Sequence, residues 1–277
     1  MILERARVST MSFSQWRNSQ QKLSRLECDL LIAHVTQMSR AQILARPEQS
    51  LSRDQLLQLD SFSTALESDT PLAYVLGEKE FFGLLLQVNA AVLVPRPETE
   101  LLVELALQRL EPGHSVLDAG TGSGAIAIAL AHSCQELTVV ACDNSEDALG
   151  VAAENARRHK TQIDFYRSDW FEQLPSTRWD VVVSNPPYIA ANDPHLVSLK
   201  AEPSSALIAD DDGMADLNTL IEQSPNFLNA GGWLMVEHGY DQAESVRAAM
   251  IKRGFREVHS ATDLGGIERV TQGRYCE

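Results

Sequence analysis

Val181-Val182-Val183-Ser184-Asn185-Pro186-Pro187-Tyr188-Ile189 is the stretch on which the reading of the chain turns. Three β-branched residues followed by a small polar one predict a buried parallel strand. Such a strand delivers Asn185 to Tyr188 to its carboxyl end, where open α/β sheets bind ligands. Each proline fixes its own φ, removes a backbone donor and restricts the residue before it, so the chain around Asn185 is stiff. The Asn185 side-chain oxygen and the Pro186 carbonyl form a pair of fixed acceptors, which suits an NH2 group.

That arrangement meets the need of methyl transfer to a planar nitrogen. Holding both N–H bonds to oxygens orients the nitrogen and favours the pyramidal geometry in which its lone pair can attack in line. Asn185 and Pro186 are therefore the candidate catalytic residues. The plain alternative is a proline-rich turn after a buried strand.

Outward from that strand, the chain alternates strand and helix from Ser115 onward. Expected strands are 115–118, 137–142, 163–167, 181–184, 231–237, 255–259 and 268–272, with helices at 125–131, 145–158, 216–228 and 242–253. This order predicts a doubly wound, Rossmann-like α/β sheet of seven strands. Between the first of these strands and its helix lies Gly120-Thr121-Gly122-Ser123-Gly124, where glycines let the backbone approach a ligand at a helix amino terminus. Asp143 ends the next strand, placed to accept ribose hydroxyls. Gly120, Gly122 and Ala125 also satisfy the dinucleotide pattern, so NAD stays open on the loop alone. The proline-held Asn185 favours S-adenosylmethionine, for which Trp170 can stack on the adenine and Asp169 can accept from its amine.

Residues 1–80 look helical. Ser12, Ser24, Ser39 and Ser52 each stand three residues before Gln15, Glu27, Gln42 and Gln55, the spacing of capping boxes. Apolar stripes at Leu23, Leu26, Leu30 and Ala33, and at Leu56, Leu59, Phe62 and Leu66, predict an all-α bundle. Thr70 to Gly77 breaks the pattern and is expected to be a linker. Phe81-Phe82-Gly83 and Leu84 to Val88 suggest a hairpin, and Pro97 opens a helix expected to run through Leu110. Arg96, between two prolines, is a stiffly presented cation. The expected division is a helical domain at 1–75, a linker with the hairpin at 76–95, and the sheet domain at 96–277.

With 277 residues, 44% of them hydrophobic, the chain can bury one large core and one small one. No run approaches the ~20 apolar residues of a membrane span, and the opening Met1 to Trp16 lacks an apolar core of signal-peptide length, which predicts a cytoplasmic protein. Cys28, Cys134, Cys142 and Cys276 are scattered without metal-ligand spacing, so no metal site is expected. The net charge of −15 is uneven: residues 1–80 carry nine Lys/Arg against ten Asp/Glu, leaving 14 against 28 for the remainder. An acidic sheet domain opposes direct nucleic-acid binding and favours a basic protein partner.

Asp118-Ala119-Gly120-Thr121-Gly122-Ser123-Gly124-Ala125-Ile126, the acid at Asp143, Ser168-Asp169-Trp170, Pro95-Arg96-Pro97-Glu98-Thr99-Glu100, the Asn185 corner and Asp263 to Val270 together resemble the HemK-type protein-(glutamine-N5) methyltransferases. The resemblance implies a helical amino-terminal domain before a seven-stranded methyltransferase domain. It also implies methylation of the glutamine in the Gly-Gly-Gln loop of class-1 peptide chain release factors. It places S-adenosylmethionine on Gly120, Thr121, Gly122, Ser123, Gly124, Asp143, Trp170 and Asn185. The substrate glutamine falls on Asn185, Pro186, Pro187 and Tyr188. Lys200-Ala201-Glu202-Pro203 departs from the family's Phe-Glu-Pro. Glu98, Glu237 and His238 are read as structural, since a methylated amide sheds its proton to water. The rivals are methylation of a ribosomal-protein glutamine, methylation of a nucleic-acid exocyclic amine, and a non-catalytic cofactor-binding scaffold.

Overall fold

The computed structural model describes residues 11–276. Most of the opening stretch used to argue against a signal peptide lies outside the described residues. The chain divides into two compact units, residues 1–77 and 78–277.

The first unit is helical: α1 (Phe13–Ser19), α2 (Arg25–Thr36), α3 (Arg40–Ala45), α4 (Arg53–Glu67) and α5 (Leu72–Leu76). All four predicted capping boxes form, each serine accepting from the N3 backbone while the N3 side chain accepts from the serine N–H. Each such cap contributes about 1 kcal/mol, which matters for helices as short as α1 and α3. Phe13, Trp16, Leu31, Ile32, Ile43 and Leu59 fill the core. The α4 stripe lies as expected, whereas α2 is rotated: Cys28, Asp29, Leu31 and Ile32 are buried and Leu26 is 49% exposed. The rotation brings buried Asp29 to Arg17 at 2.6 Å and Arg40 at 3.4 Å, a charged contact that a hydrophobic stripe cannot reveal. Thr70 to Gly77 is not a bare linker. Pro71 caps α5, Gly77 ends it in the left-handed region, and Leu72, Val75 and Leu76 pack on the helical core.

The second unit opens with the hairpin β1 (Glu78–Phe81) and β2 (Leu84–Gln87), turned by Phe82 and Gly83, both at positive φ. A 3-10 turn at Pro97–Thr99 leads into α6 (Glu100–Leu107). There follow β3 (Ser115–Ala119), α7 (Ala125–Ser133), β4 (Thr138–Asp143), α8 (Glu146–His159), β5 (Asp164–Arg167), β6 (Trp179–Ser184), α9 (Ala215–Gln223), β7 (Leu228–Glu237), α10 (Ala243–Arg253), β8 (Arg256–Thr262) and β9 (Glu268–Arg274). Helix α6 ends at Leu107, three residues before the expected Leu110. Helix α9 stops at Gln223 because Ser224-Pro225-Asn226 forms a 3-10 turn, and Leu228 already belongs to β7.

The seven strands lie in the order β5-β4-β3-β6-β7-β9-β8, with parallel pairing from β5 through β7 and β9 antiparallel to both its neighbours. Successive residues of the central strands enter opposite cores. Val116, Val181 and Val183 meet α6 and α7, whereas Leu117, Val182 and Leu234 meet α9 and α10. Parallel pairing puts the ends of β3, β4, β5, β6 and β7 on one edge. Ser184 pairs with Val236, so Asn185 and Glu237 leave the sheet side by side.

Candidate active site

A cleft of about 340 Å³ opens at that edge. Gly120, Thr121, Gly122, Ser123, Asp143, Trp170, Asn185 and Pro187 line it, together with Arg96 and Thr99. Pro186, which is buried, and Tyr188 belong to the Asn185 corner but do not line the cleft. Gly124 does not line the cleft.

The glycine loop is held from beneath. The Gly120 and Thr121 N–H groups both donate to the Cys142 carbonyl at 2.9 Å, clamping the end of β3 to the end of β4. Fully buried Asp118 accepts from the Thr121 hydroxyl at 2.6 Å and from the Ala127 N–H at 3.1 Å. Burial pushes its carboxyl up to about 7, against the pull of those two donors. Gly120 and Gly124 serve different ends. At Gly120 (φ +77) a Cβ would lie 3.2 Å from the Trp170 ring, inside the cleft; at Gly124 (φ +82) it would meet Ile128 and Ala152, where α7 crosses α8. The third glycine thus answers to helix packing.

Asp143 accepts from the Gly122 N–H through Oδ2 and from the Ser145 N–H through Oδ1, each at 2.9 Å. The carboxylate is thereby fixed while each oxygen keeps a lone pair for a further donor, although burial raises its pKa. Trp170 sits at positive φ against Gly120, its indole N–H donating to Asp216 at 3.2 Å. One ring face is thus presented beside the loop. Exposed Asp169 also lines the cleft.

At the corner, Asn185 Nδ2 donates to the Thr99 hydroxyl at 3.1 Å, and Asn185 Oδ1 is buried without a hydrogen-bond partner among the described residues. A buried acceptor left open costs free energy comparable to a lost hydrogen bond, so its place on a cleft wall marks it for a ligand donor. The rest of the corner is pinned. The Tyr188 carbonyl accepts from Gln242 at 3.1 Å, and Ile189 pairs with Leu207 and Ala209. Gly213 lies so close to Tyr188 that a Cβ there would come within 2.3 Å of its carbonyl oxygen. Arg96 is engaged rather than free: it pairs with Glu202, which also accepts from the Val94 N–H at 2.9 Å. Lys200-Ala201-Glu202-Pro203 therefore keeps the carboxylate that braces the cleft's outer wall.

Sequence reasoning passed over Thr99, Asp118, Asn155, Glu202 and Asp216. Asn155 of α8 is fully buried and ties β2 to the glycine loop, donating to the carbonyls of Gln87 and Ser123 at 2.9 Å. A lone asparagine on a helix of small residues gives no local sign of this. The one available sign was the Asp118-x-x-Thr121 spacing that runs into the glycine loop.

Two family models match the chain: a methyltransferase small domain over residues 97–200 and a PrmC N-terminal domain over residues 15–77. The release factor glutamine methyltransferase of Escherichia coli is 45% identical over 257 residues, covering 91% of this chain and 93% of that protein. The enzyme of the same name from Coxiella burnetii is 40% identical over 269 residues, covering 96% and 97%. The chain belongs to the release factor glutamine methyltransferase family. It is a methyltransferase that uses S-adenosylmethionine. A methyltransferase from Pyrococcus furiosus shares the fold, with a TM-score of 0.56 at 16% identity, over 82% of this chain and all of that one. Among the described residues no helix is long and apolar enough to cross a membrane.

Proposed function

We propose that this enzyme methylates the side-chain amide nitrogen, N5, of the glutamine in the Gly-Gly-Gln motif of class-1 peptide chain release factors, and so modulates translation termination. The open acceptor of Asn185 carries the reading. It is a buried oxygen with no donor among the described residues, on the wall of the cleft that also holds the glycine loop. The family relationship supplies the substrate class.

The residues present fit S-adenosylmethionine. A cradle without a Cβ at Gly120 adjoins an indole face, and a fixed carboxylate at Asp143 keeps free lone pairs. When bound, the cofactor supplies an electrophilic methyl on a sulfonium, which leaves as the sulfide takes the bond's electron pair. Trp170 offers a stacking surface for its adenine, and Asp143 accepts from its ribose. Asn185 Oδ1 and the Pro186 carbonyl each accept one hydrogen of the substrate amide, holding the nitrogen with its lone pair toward the methyl. Tyr188 and Pro187 pack beside that side chain. Burial raises the Tyr188 phenol's pKa, so it remains a neutral donor and takes no part as a base. The N-methyl amide formed gives up its extra proton to water.

The helical unit, matched by the PrmC N-terminal domain, reads the folded release factor, and the acidic balance of residues 81–277 favours a protein surface over nucleic acid. The four described cysteines are all free, as suits the reducing cytoplasm where translation occurs.

Labelled S-adenosylmethionine with a release factor, intact or with its motif glutamine replaced by alanine, tests the proposal. Label on the intact factor alone is the expected result; equal labelling of both would refute the site of modification.

A further inference from the structure

The stretch Asp263 to Val270 takes no part in the cleft, yet the sheet carries it to the same edge. Glu237, at the end of β7, pairs with Val270 of β9. The turn from Asp263 to Ile267 that joins β8 to β9 therefore projects past the end of β7, on the side where Asn185 leaves β6.

This turn is stiff. Asp263 Oδ1 accepts from the Gly265 and Ile267 N–H groups at 2.8 and 3.0 Å, and its Oδ2 accepts from Arg269 Nε at 3.1 Å. The Asp263 N–H donates to the Ile267 carbonyl at 2.8 Å, closing the loop. Since Arg269 balances Asp263, the tip carries no net charge. What it holds out is apolar: Leu264 is fully exposed and Ile267 is 40% exposed.

Tyr240, 61% exposed, follows β7 on that edge, in a turn tied on both sides. Gln242 accepts from the Gly239 N–H at 2.8 Å and donates to the Tyr188 carbonyl at 3.1 Å, while the His238 N–H donates to the Arg269 carbonyl at 2.9 Å. A run of hydrogen bonds thus keeps these tips in register with the Asn185 corner. A single exposed apolar side chain is ordinary; three held stiffly along one edge mark a surface made to be covered.

Charge and reach select what covers it. Exposed Asp210, Asp211 and Asp212 run up to Gly213, which abuts Tyr188, and Asp241 is exposed beside Tyr240. Acids around apolar tips complement a basic protein surface. A specific interface covers about 800 Å² of each partner, a disc about 16 Å in radius. Strands about 4.8 Å apart put the β8–β9 turn about 10–14 Å along the edge from β6, inside such a disc centred on Asn185. A peptide of three residues spans only about 10 Å fully extended, so one with its glutamine at Asn185 stops short of Leu264.

Resting on the reaction proposed above, we infer that Tyr240, Leu264 and Ile267 form a docking surface for the folded release factor, taking a basic surface with apolar side chains next to its glutamine loop.

The test uses Leu264→Ser, Tyr240→Ser, the charge variant Asp211→Asn with Asp212→Asn, and Ile251→Ser as a control near the far end of α10, all in the full chain. Initial rates with a whole release factor and with a short Gly-Gly-Gln peptide are compared, and calorimetry gives cofactor affinity. Leu264→Ser and Tyr240→Ser are each expected to raise KM for the whole factor about tenfold, with kcat and cofactor Kd within about twofold. The charge variant should raise that KM a few-fold and flatten its dependence on salt. Peptide kcat/KM should stay within about twofold for every variant, and Ile251→Ser should match the parent throughout.

An unchanged KM for the whole factor in Leu264→Ser and Tyr240→Ser would overturn the docking surface and leave the proposed function intact. So would an equal loss with the peptide, which marks damage to the catalytic corner. Sedimentation of the parent as a dimer that Leu264→Ser separates would assign the tips to a second copy of the chain instead. Absence of transfer by the unsubstituted chain would overturn the proposed function itself.

Discussion

Replacing glycines one at a time by alanine separates the three purposes that the loop's glycines serve. At Gly124 an added Cβ faces Ile128 Cδ1 at 2.9 Å, Ala152 Cβ at 3.2 Å and Ala152 Cα at 3.3 Å, with φ at +82°. The Ile128 methyl can swing aside, but the Ala152 backbone cannot. Left-handed geometry costs a residue with a Cβ about 1–2 kcal/mol, and overpacking adds about 1–3, so Gly124→Ala should lose roughly 2–5 kcal/mol. At Gly122 (φ +55°) an added Cβ would meet no neighbour within 4 Å among the described residues, so Gly122→Ala should lose only the backbone share, roughly 1–2 kcal/mol. Gly150, inside α8 with open space around it, should gain about 0.5–1 kcal/mol as alanine. At about 2–4 °C per kcal/mol for a unit of this size, the first variant should melt several degrees below the second. Urea unfolding followed by tryptophan emission suits the question, because Trp170, Trp179 and Trp233 of the four tryptophans lie in the sheet unit. Equal destabilisation by Gly122→Ala and Gly124→Ala would refute the assignment of Gly124 to helix packing.

Gly120→Ala pushes on the Trp170 ring at 3.2 Å and should weaken S-adenosylmethionine binding about tenfold by calorimetry, whereas Gly124→Ala that remains folded should bind within a few-fold of the parent. Asn185→Ala should abolish most transfer while cofactor affinity falls less, and unchanged turnover would remove the mechanism. A short Gly-Gly-Gln peptide should show a much lower kcat/KM than the whole release factor, since it lacks a surface for the helical unit; parity would deny that unit a docking role. Burial holds Asp118 and Glu237 up at about 7, above their ordinary 3.8 and 4.5. The fold therefore keeps protons that the unfolded chain releases. The stability they contribute is fully present below about pH 4 and is lost as pH rises through about 7. Glu237→Gln should flatten the fall in urea stability between about pH 4.5 and pH 7.5 relative to the parent, and an identical fall would contradict the raised carboxyl.

What the sequence disclosed were features written in short spans. The four capping boxes lie in serine and its third neighbour, the strand ahead of Asn185 in three β-branched residues, and the loop in glycines two apart. All of them formed. What stayed hidden depends on residues far apart in the chain: Thr99 reaches Asn185 across 86 positions, Glu202 reaches Val94 across 108, Asn155 reaches Gln87 across 68 and Glu237 reaches Tyr188 across 49. No local periodicity encodes such pairings; the strand order makes them. The misplaced stripe on α2 has the same origin, because Asp29 is buried by arginines on other helices. Even where a motif was plain, its purposes were mixed, as Gly124 shows.

Cys142 lies beneath the glycine loop with its thiol turned to the Trp170 carbonyl, and burial raises that thiol from 9.0 to about 12. Three units leave roughly a thousandth of the thiolate that an open cysteine would carry, so alkylating agents and peroxide find almost no nucleophile there. Exposed Cys276 is open to such reagents and can carry a reporter dye. Modification of Cys142 would then time the transient parting of β3 from β4, a clock for breathing at the catalytic edge that needs no engineered label.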